Sequence, residues 1–117
     1  MKITQPVNVI IENLPNHETL NPILEKDIKD AGDMTGGRSA ACCYRTRWDM
    51  HEVYPSFKKL SDGVLEVVKR ACGPATDEQG KPKDYILRTH DSWGLIYKKG
   101  DITNAHQHYP CLWSWTY

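Results

Sequence analysis

Residues 100–110 read GDITNAHQHYP and hold two of the chain's five histidines, His106 and His108. In an extended segment, residues i and i+2 point to the same face, so the two imidazoles are expected side by side. Two adjacent imidazoles suit one ion of iron, zinc, copper, nickel or manganese. An H-x-H pair also occurs in surface loops and among buried histidines with satisfied hydrogen bonds. The strand-like runs on both sides favour a metal site.

The third ligand of such a site is open from the sequence. A non-haem iron site commonly adds one carboxylate to two histidines, and the nearby candidates are Asp91 and Asp101. A hydrolytic zinc site is the alternative, and it would also need a general base. The cysteines, whose spacing contains no paired C-x-x-C, are interpreted as reduced, mostly buried small hydrophobic residues. They are Cys42, Cys43, Cys72 and Cys111.

The sequence around the histidine pair predicts antiparallel β structure. Three runs, 84–89, 92–98 and 111–117, have strand character, and the turn at 99–101 precedes the histidines. The last run alternates, with three aromatic residues on one face: Trp113, Trp115 and Tyr117. Between the preceding helix and these strands, residues 75–83 have the composition of an exposed loop.

The N-terminal half alternates strand and helix signals. We expect an edge strand at 5–12 and a helix that begins near Asn21 and ends before Gly32. Residues 41–48 predict a strand. Asp49 and Glu52 have the spacing of a capping box, so a helix should follow and end at 73–74, with its apolar stripe packed on a sheet.

Arg45 and Arg47 share one face of the predicted strand at 41–48. This face could bind a carboxylate or phosphate, or simply be solvated. The solvated alternative is the commoner outcome for charged residues.

Composition limits the class of protein. The 117 residues fit one domain, and 15 acidic residues balance 15 basic ones, so charge does not indicate a nucleic-acid partner. No run approaches the roughly 18 apolar residues of a membrane span, and no signal peptide is apparent. We therefore expect a protein of the cytoplasm without a membrane partner.

Three segments together resemble a known family. The strand Trp93-Gly94-Leu95-Ile96-Tyr97, the histidine segment, and the serine- and aromatic-rich run at 112–117 resemble the Fe(II)- and 2-oxoglutarate-dependent oxygenases. The closest likeness is to a small, prolyl-hydroxylase-like subgroup common in tailed phages and some bacteria. The resemblance covers roughly residues 41–117 and is strongest from residue 92.

The resemblance implies an α+β fold in which N-terminal helices (1–75) pack on the first part of a double-stranded β-helix, or jelly roll (84–117). It implies an Fe(II) ligand at His106, and His108 stands where the wider superfamily has a carboxylate. Trp93 and Tyr97 would line the 2-oxoglutarate pocket, or else be core aromatics. The implied dioxygenase uses O2 and 2-oxoglutarate, with ascorbate as a possible accessory, on an unidentified protein or small-molecule substrate, in the host cytoplasm if phage-encoded.

The family also has a later histidine ligand and a later cation that binds 2-oxoglutarate. Nine residues follow His108, and none is His, Arg or Lys. The resemblance therefore predicts a C-terminally truncated oxygenase domain that is inactive alone. The alternatives are a cupin-like metal-binding module, although no glutamate follows the histidine pair, and a non-catalytic structural or interaction protein.

Overall fold

The computed structural model describes residues 8–34 and 40–117, and its helices and short antiparallel strand pairs confirm the predicted α+β class. The helices are α1 (His17–Asp30), α2 (Met50–Val53) and α3 (Pro55–Cys72). The strands are β1 (Ala41–Cys42), β2 (Tyr44–Arg45), β3 (Ala75–Thr76), β4 (Pro82–Lys83), β5 (Leu95–Ile96) and β6 (Ile102–Thr103).

Helix α1 begins at His17, so the predicted start near Asn21 was wrong. Pro22 lies inside the helix and has no N–H to donate to the carbonyl of Glu18. Both residues are exposed, so water can satisfy that carbonyl. The predicted stop is confirmed: Gly32 has a φ of 85°, a conformation that favours glycine.

The predicted capping box does not form. The Asp49 carboxylate accepts hydrogen bonds from the Arg47 guanidinium, 2.8 Å from Nη2 to Oδ2, instead of capping the helix. This ion pair lowers the pKa of Asp49 and raises that of Arg47. The cap comes from a distant residue, because the buried hydroxyl of Ser92 accepts a hydrogen bond from the His51 N–H at 2.9 Å.

Pro55 divides the predicted single helix in two. A residue before proline is pushed out of the helical region, and Tyr54 has φ −109° and ψ 120°. Pro55 then occupies the first turn of α3, where its missing N–H costs nothing. The predicted end is confirmed at Gly73, whose φ is 63°.

The core lies between the helices. Helix α3 packs its buried face against α1, so the expectation that this face packs on a sheet was wrong. Ser56 of α3 also donates a hydrogen bond to Asp27 of α1. Fully burying one large apolar side chain contributes about 1.5–3 kcal/mol, so this cluster is the main source of stability. Its members are Leu14, Leu20, Leu24, Met50, Phe57 and Leu60.

The predicted strand at 41–48 is split by a bend at Cys43. Before the bend, β1 pairs antiparallel with β6, and after it β2 pairs antiparallel with β5. The two halves of one predicted strand thus reach different partners. Residues 75–83, predicted as a loop, contain the hairpin β3–β4. Its turn forms because Asp77 Oδ1 accepts the backbone N–H groups of Gln79 and Lys81, both at 2.9 Å.

Three predicted strands are not found in the described residues: 8–12, 84–89 and 111–117. Residues 5–7 of the first lie outside the described part. A strand needs a neighbouring strand to pair its backbone N–H and C=O groups, and these segments have none in the described residues. Their large apolar side chains are also left unpacked, with Ile11 94%, Ile86 92% and Leu112 95% exposed. The paired strands, two residues each, do not establish a double-stranded β-helix.

The C-terminal segment folds back over the helices. Trp115 is half-buried against the core, and the Tyr117 hydroxyl donates to Asn21 Oδ1 at 2.5 Å. All four cysteines are free, but only Cys43 is buried, so the expectation of mostly buried cysteines was wrong. Cys72 ends α3 and Cys111 lies in the unpaired segment. Within the described residues, no helix has the length and apolar character to cross a membrane.

Candidate metal centre

The two histidines follow β6 and converge. The Asn104 N–H donates to the Ala40 carbonyl at 2.8 Å, which extends the β1–β6 pairing up to the histidine segment. Beyond it the chain leaves the ladder, yet Nε2 of His106 and Nε2 of His108 are 3.1 Å apart. The two rings are inclined at 71° with centroids 4.7 Å apart. The side-by-side arrangement expected for a strand thus occurs in a non-strand segment.

This separation fits two neighbouring positions around one metal ion. With metal–nitrogen bonds of about 2.0–2.1 Å, two imidazole nitrogens at a right angle are about 3.0 Å apart. The observed 3.1 Å is also a hydrogen-bonding distance, so a proton on one Nε2 can bridge the pair. The geometry therefore suits either a shared proton or a shared metal ion.

A backbone carbonyl fixes the proton on His106. Its Nδ1 lies 2.7 Å from the carbonyl oxygen of Asn104, which can only accept, so Nδ1 carries the hydrogen. The lone pair is then on Nε2, directed at His108. Metal-binding histidines commonly donate their second ring N–H in this way, which orients the ring and makes it a better ligand.

Neither candidate carboxylate joins the pair. Asp101 Oδ2 accepts the backbone N–H of Lys98 at 2.7 Å within the turn, and Asp91 lies 3.0 Å from Nδ1 of His90. In the ranges 8–34 and 40–117, no group of three or more His, Cys, Asp or Glu side chains is arranged to hold a metal. The described residues thus bring together two candidate ligands of the expected three.

The two aromatic candidates are placed differently. Trp93 stacks on His108, with ring centroids 5.9 Å apart and planes 29° apart. Tyr97 is half-exposed, and its hydroxyl is hydrogen bonded to the hydroxyl of Thr103. Trp93 therefore contacts the histidine pair directly, while the Tyr97 hydroxyl is engaged by the neighbouring strand β6.

An open groove of about 1580 Å³ runs beside the pair, between the helices and the C-terminal segment. Its walls combine apolar side chains of α1 and α3 with Trp93, Tyr97 and both histidines. A smaller recess of about 390 Å³ lies directly against the pair and includes Gln107 and Tyr109. The pair is thus accessible to solvent and to a small molecule.

Arg45 was expected on a solvated face, or as a ligand of an anion, but it is only 2% exposed. Its Nη1 donates to the Thr46 carbonyl at 3.0 Å and its Nη2 to the Met34 carbonyl at 2.7 Å. Its guanidinium carbon lies 4.1 Å from the Trp48 ring centroid. Arg47 is exposed, as the solvated alternative predicts.

Sequence reasoning did not identify Asn104, Trp48 or Arg45 as neighbours of the site. Asn104 acts through its backbone carbonyl. Every residue has this group, so the residue types in the sequence do not indicate the contact. Trp48 is 45 positions before Trp93, yet their rings meet edge to face with centroids 4.5 Å apart. The β2–β5 pairing, in which Tyr44 faces Ile96, and the bridge between Asp49 and Ser92 bring them together.

Comparisons of the chain with protein-family models, curated proteins and solved structures give no match.

Proposed function

We propose that His106 and His108 bind Fe(II) as part of the active site of an Fe(II)- and 2-oxoglutarate-dependent dioxygenase. The observation that carries the proposal is the 3.1 Å separation of the two Nε2 atoms, with Nδ1 of His106 on a carbonyl. Iron and 2-oxoglutarate would supply the activation of O2, and the protein residues would hold and orient them. The choice of this family over other two-histidine metal sites rests on the sequence resemblance.

The double-stranded β-helix belongs to the same proposal. Under this proposal, the β1–β6 and β2–β5 pairs are the start of the jelly roll, and the groove beside the histidines is the binding site for 2-oxoglutarate and substrate. Trp93 forms one wall of that binding site, next to His108. Tyr97, the residue directly after β5, lines the same groove.

The experiment is an anaerobic titration of the 117-residue chain with Co(II), a redox-stable substitute for Fe(II), with and without 2-oxoglutarate. We expect 2-oxoglutarate to change the visible spectrum of the Co(II) complex, because it would replace water on the metal. Succinate, a neighbouring dicarboxylate without the 2-oxo group, is the matched control and should have no such effect. Identical spectra with and without 2-oxoglutarate would contradict the dioxygenase proposal.

Turnover gives a second measurement. With Fe(II), O2 and 2-oxoglutarate, we expect the 117-residue chain to form little or no succinate. The reason is that the described residues bring together two candidate ligands, with no third His, Cys, Asp or Glu arranged to hold a metal. Steady, His106-dependent succinate formation would contradict this expectation and show that a third ligand is present after all.

A second candidate function is that of an interaction protein. Tyr109 is 89% exposed and Leu112 95% exposed beside the pair, and exposed apolar groups of this size are typical of interfaces. In this alternative, a shared proton explains the 3.1 Å separation. Failure of the chain to bind any divalent metal at the histidines would favour it over the dioxygenase.

A further inference from the structure

The two histidines of the proposed centre are held by different means. His106 is fixed by its hydrogen bond to the Asn104 carbonyl. The His108 ring is exposed and, within the described residues, its only hydrogen bond is the one to His106. An exposed imidazole of this kind needs another contact to keep one rotamer, because fixing a side chain costs conformational entropy.

Stacking on Trp93 provides that contact, and Trp93 is itself supported. Its ring centroid lies 5.9 Å from that of His108 on one side and 4.5 Å from that of Trp48 on another. Both separations are within the range of favourable aromatic contacts. Behind Trp48, the Arg45 guanidinium lies 4.1 Å from the ring centroid, where the cation is attracted to the π face.

The far end of this series is rigid. Arg45 is buried and donates to two backbone carbonyls, those of Thr46 and Met34. Nη1 and Nη2 are hydrogen bonded to these carbonyls, whereas the buried Nε has no hydrogen-bond partner in the described residues. The two hydrogen bonds hold the cation in place against the face of the Trp48 indole. Thr46 in turn fixes the backbone beside Trp93, since its N–H donates to the Gly94 carbonyl at 3.0 Å.

The backbones of the two tryptophans are also joined. The Ser92 N–H donates to the Trp48 carbonyl at 2.8 Å, and the Gly94 N–H donates to the Thr46 hydroxyl at 2.9 Å. Trp93 lies between Ser92 and Gly94, so this pairing fixes the backbone positions from which the two indoles project. The three side chains therefore form a fixed support that ends on the His108 ring.

We propose that Arg45, Trp48 and Trp93 form a positioning row that orients His108 so that its Nε2 points at the metal. This inference rests on the proposed metal site. Trp93 then holds a metal ligand in place, in addition to lining the pocket. Arg45 and Trp48 act through Trp93 and contact neither metal nor substrate. Partners that orient a metal ligand typically change metal affinity 10–100-fold when removed.

The test compares Ni(II) affinity, measured by calorimetry, in three variants of the 117-residue chain. Trp93→Ala removes the stacking ring and should weaken binding about tenfold or more. Trp93→Phe keeps an aromatic ring and should retain most of the affinity, even where it lowers the melting temperature. Trp113→Ala is the matched control, because it removes a half-buried indole that has no ring contact in the described residues.

A second readout needs no metal. A ring stacked on an indole has its proton resonances shifted upfield, so the His108 ring protons should be shifted upfield in the metal-free chain. The shift should disappear in Trp93→Ala, persist in Trp113→Ala and decrease in Trp48→Ala, where the supporting ring is lost. Equal Ni(II) affinities of Trp93→Ala and Trp113→Ala, or His108 ring protons without an upfield shift, would overturn the positioning role of the row and leave the proposed metal site standing. Absence of Ni(II) binding by the unsubstituted chain would overturn the metal site as well.

Discussion

The helical and β regions of this chain differ in how they satisfy their backbones. Helices α1 and α3 form their hydrogen bonds internally and share a core in which Phe57 is 2% and Leu60 3% exposed. The strands are two residues long, and those beside the histidine pair, β1, β2, β5 and β6, each depend on a partner distant in sequence. The helical core therefore provides most of the stability, while the histidine pair lies beside the short strands, which have a smaller share of the buried core.

The two regions are joined at Ile28. The Tyr44 hydroxyl of β2 donates to the Ile28 carbonyl at 2.6 Å. Gly94, next to β5, packs so closely on the Ile28 side chain that a Cβ on Gly94 would lie 2.4 Å from Ile28 Cγ1. The β region therefore docks on α1 through a close approach that only glycine permits.

The largest expected effect is in the helical core. Phe57→Ala should lower the free energy of unfolding by about 3–5 kcal/mol, because it removes a buried aromatic ring and leaves a cavity. Leu112→Ala, which truncates a side chain that is 95% exposed, is the control and should change little. Urea denaturation measures both. Equal effects would mean that the C-terminal segment is packed as tightly as the core.

A smaller effect is expected where the two regions meet. Gly94→Ala should destabilise by about 1–3 kcal/mol, because the new methyl group overlaps Ile28. A double-mutant cycle with Ile28→Ala should recover part of this loss, since the smaller side chain leaves space for the methyl group. Additive losses in the cycle would contradict the close contact.

The opposite sign is expected for a glycine inside α3. A Cβ on Gly63 would lie 3.4 Å from the Leu14 side chain, which is an ordinary contact. Gly63→Ala should therefore stabilise the chain by about 0.5–1 kcal/mol through lower backbone entropy in the unfolded state. A rise in the urea midpoint without a change in slope is the expected result. A fall would show that Leu14 cannot adjust.

The smallest effect concerns two adjacent cysteines of the β region. Burial raises the pKa of the Cys43 thiol, whereas Cys42 is exposed. Since the folded-state pKa lies above the unfolded one, the protonated thiol stabilises the fold at neutral pH. That stabilisation is lost as the pH rises above the unfolded-state value of about 8.5. In variants that keep a single cysteine, a disulfide reagent should modify Cys43 more slowly than Cys42 at pH 8. Equal rates would mean that β2 opens readily.

The sequence predicted the helices better than the strands, for a physical reason. The apolar stripe of α3 and the glycines at 32 and 73 are local signals, and the structure confirms them. Strand pairing depends on partners elsewhere in the chain. The local sequence at 84–89 and 111–117 therefore could not show whether a partner strand was available. The burial of Arg45 was missed for the same reason, because Trp48 and the Met34 carbonyl are brought to it by the fold.

At the site, the sequence predicted which two residues are adjacent but not what supports them. The i, i+2 spacing of His106 and His108 was enough to predict neighbouring rings. The Asn104 carbonyl and the Trp93 ring, which orient those rings, could be found only from coordinates. The identity of the metal and the dioxygenase reaction stay predictions that rest on the resemblance.

The most direct test of the central claim is a Ni(II) titration of the unsubstituted chain beside three single variants. We predict one ion bound per chain, with affinity reduced at least about tenfold in His106→Ala and in His108→Ala. His90→Ala is the matched control, since it removes an exposed histidine paired with Asp91, and its affinity should be unchanged. Binding that is absent, or that survives in both His106→Ala and His108→Ala, would contradict the claim that the two Nε2 atoms form a metal site.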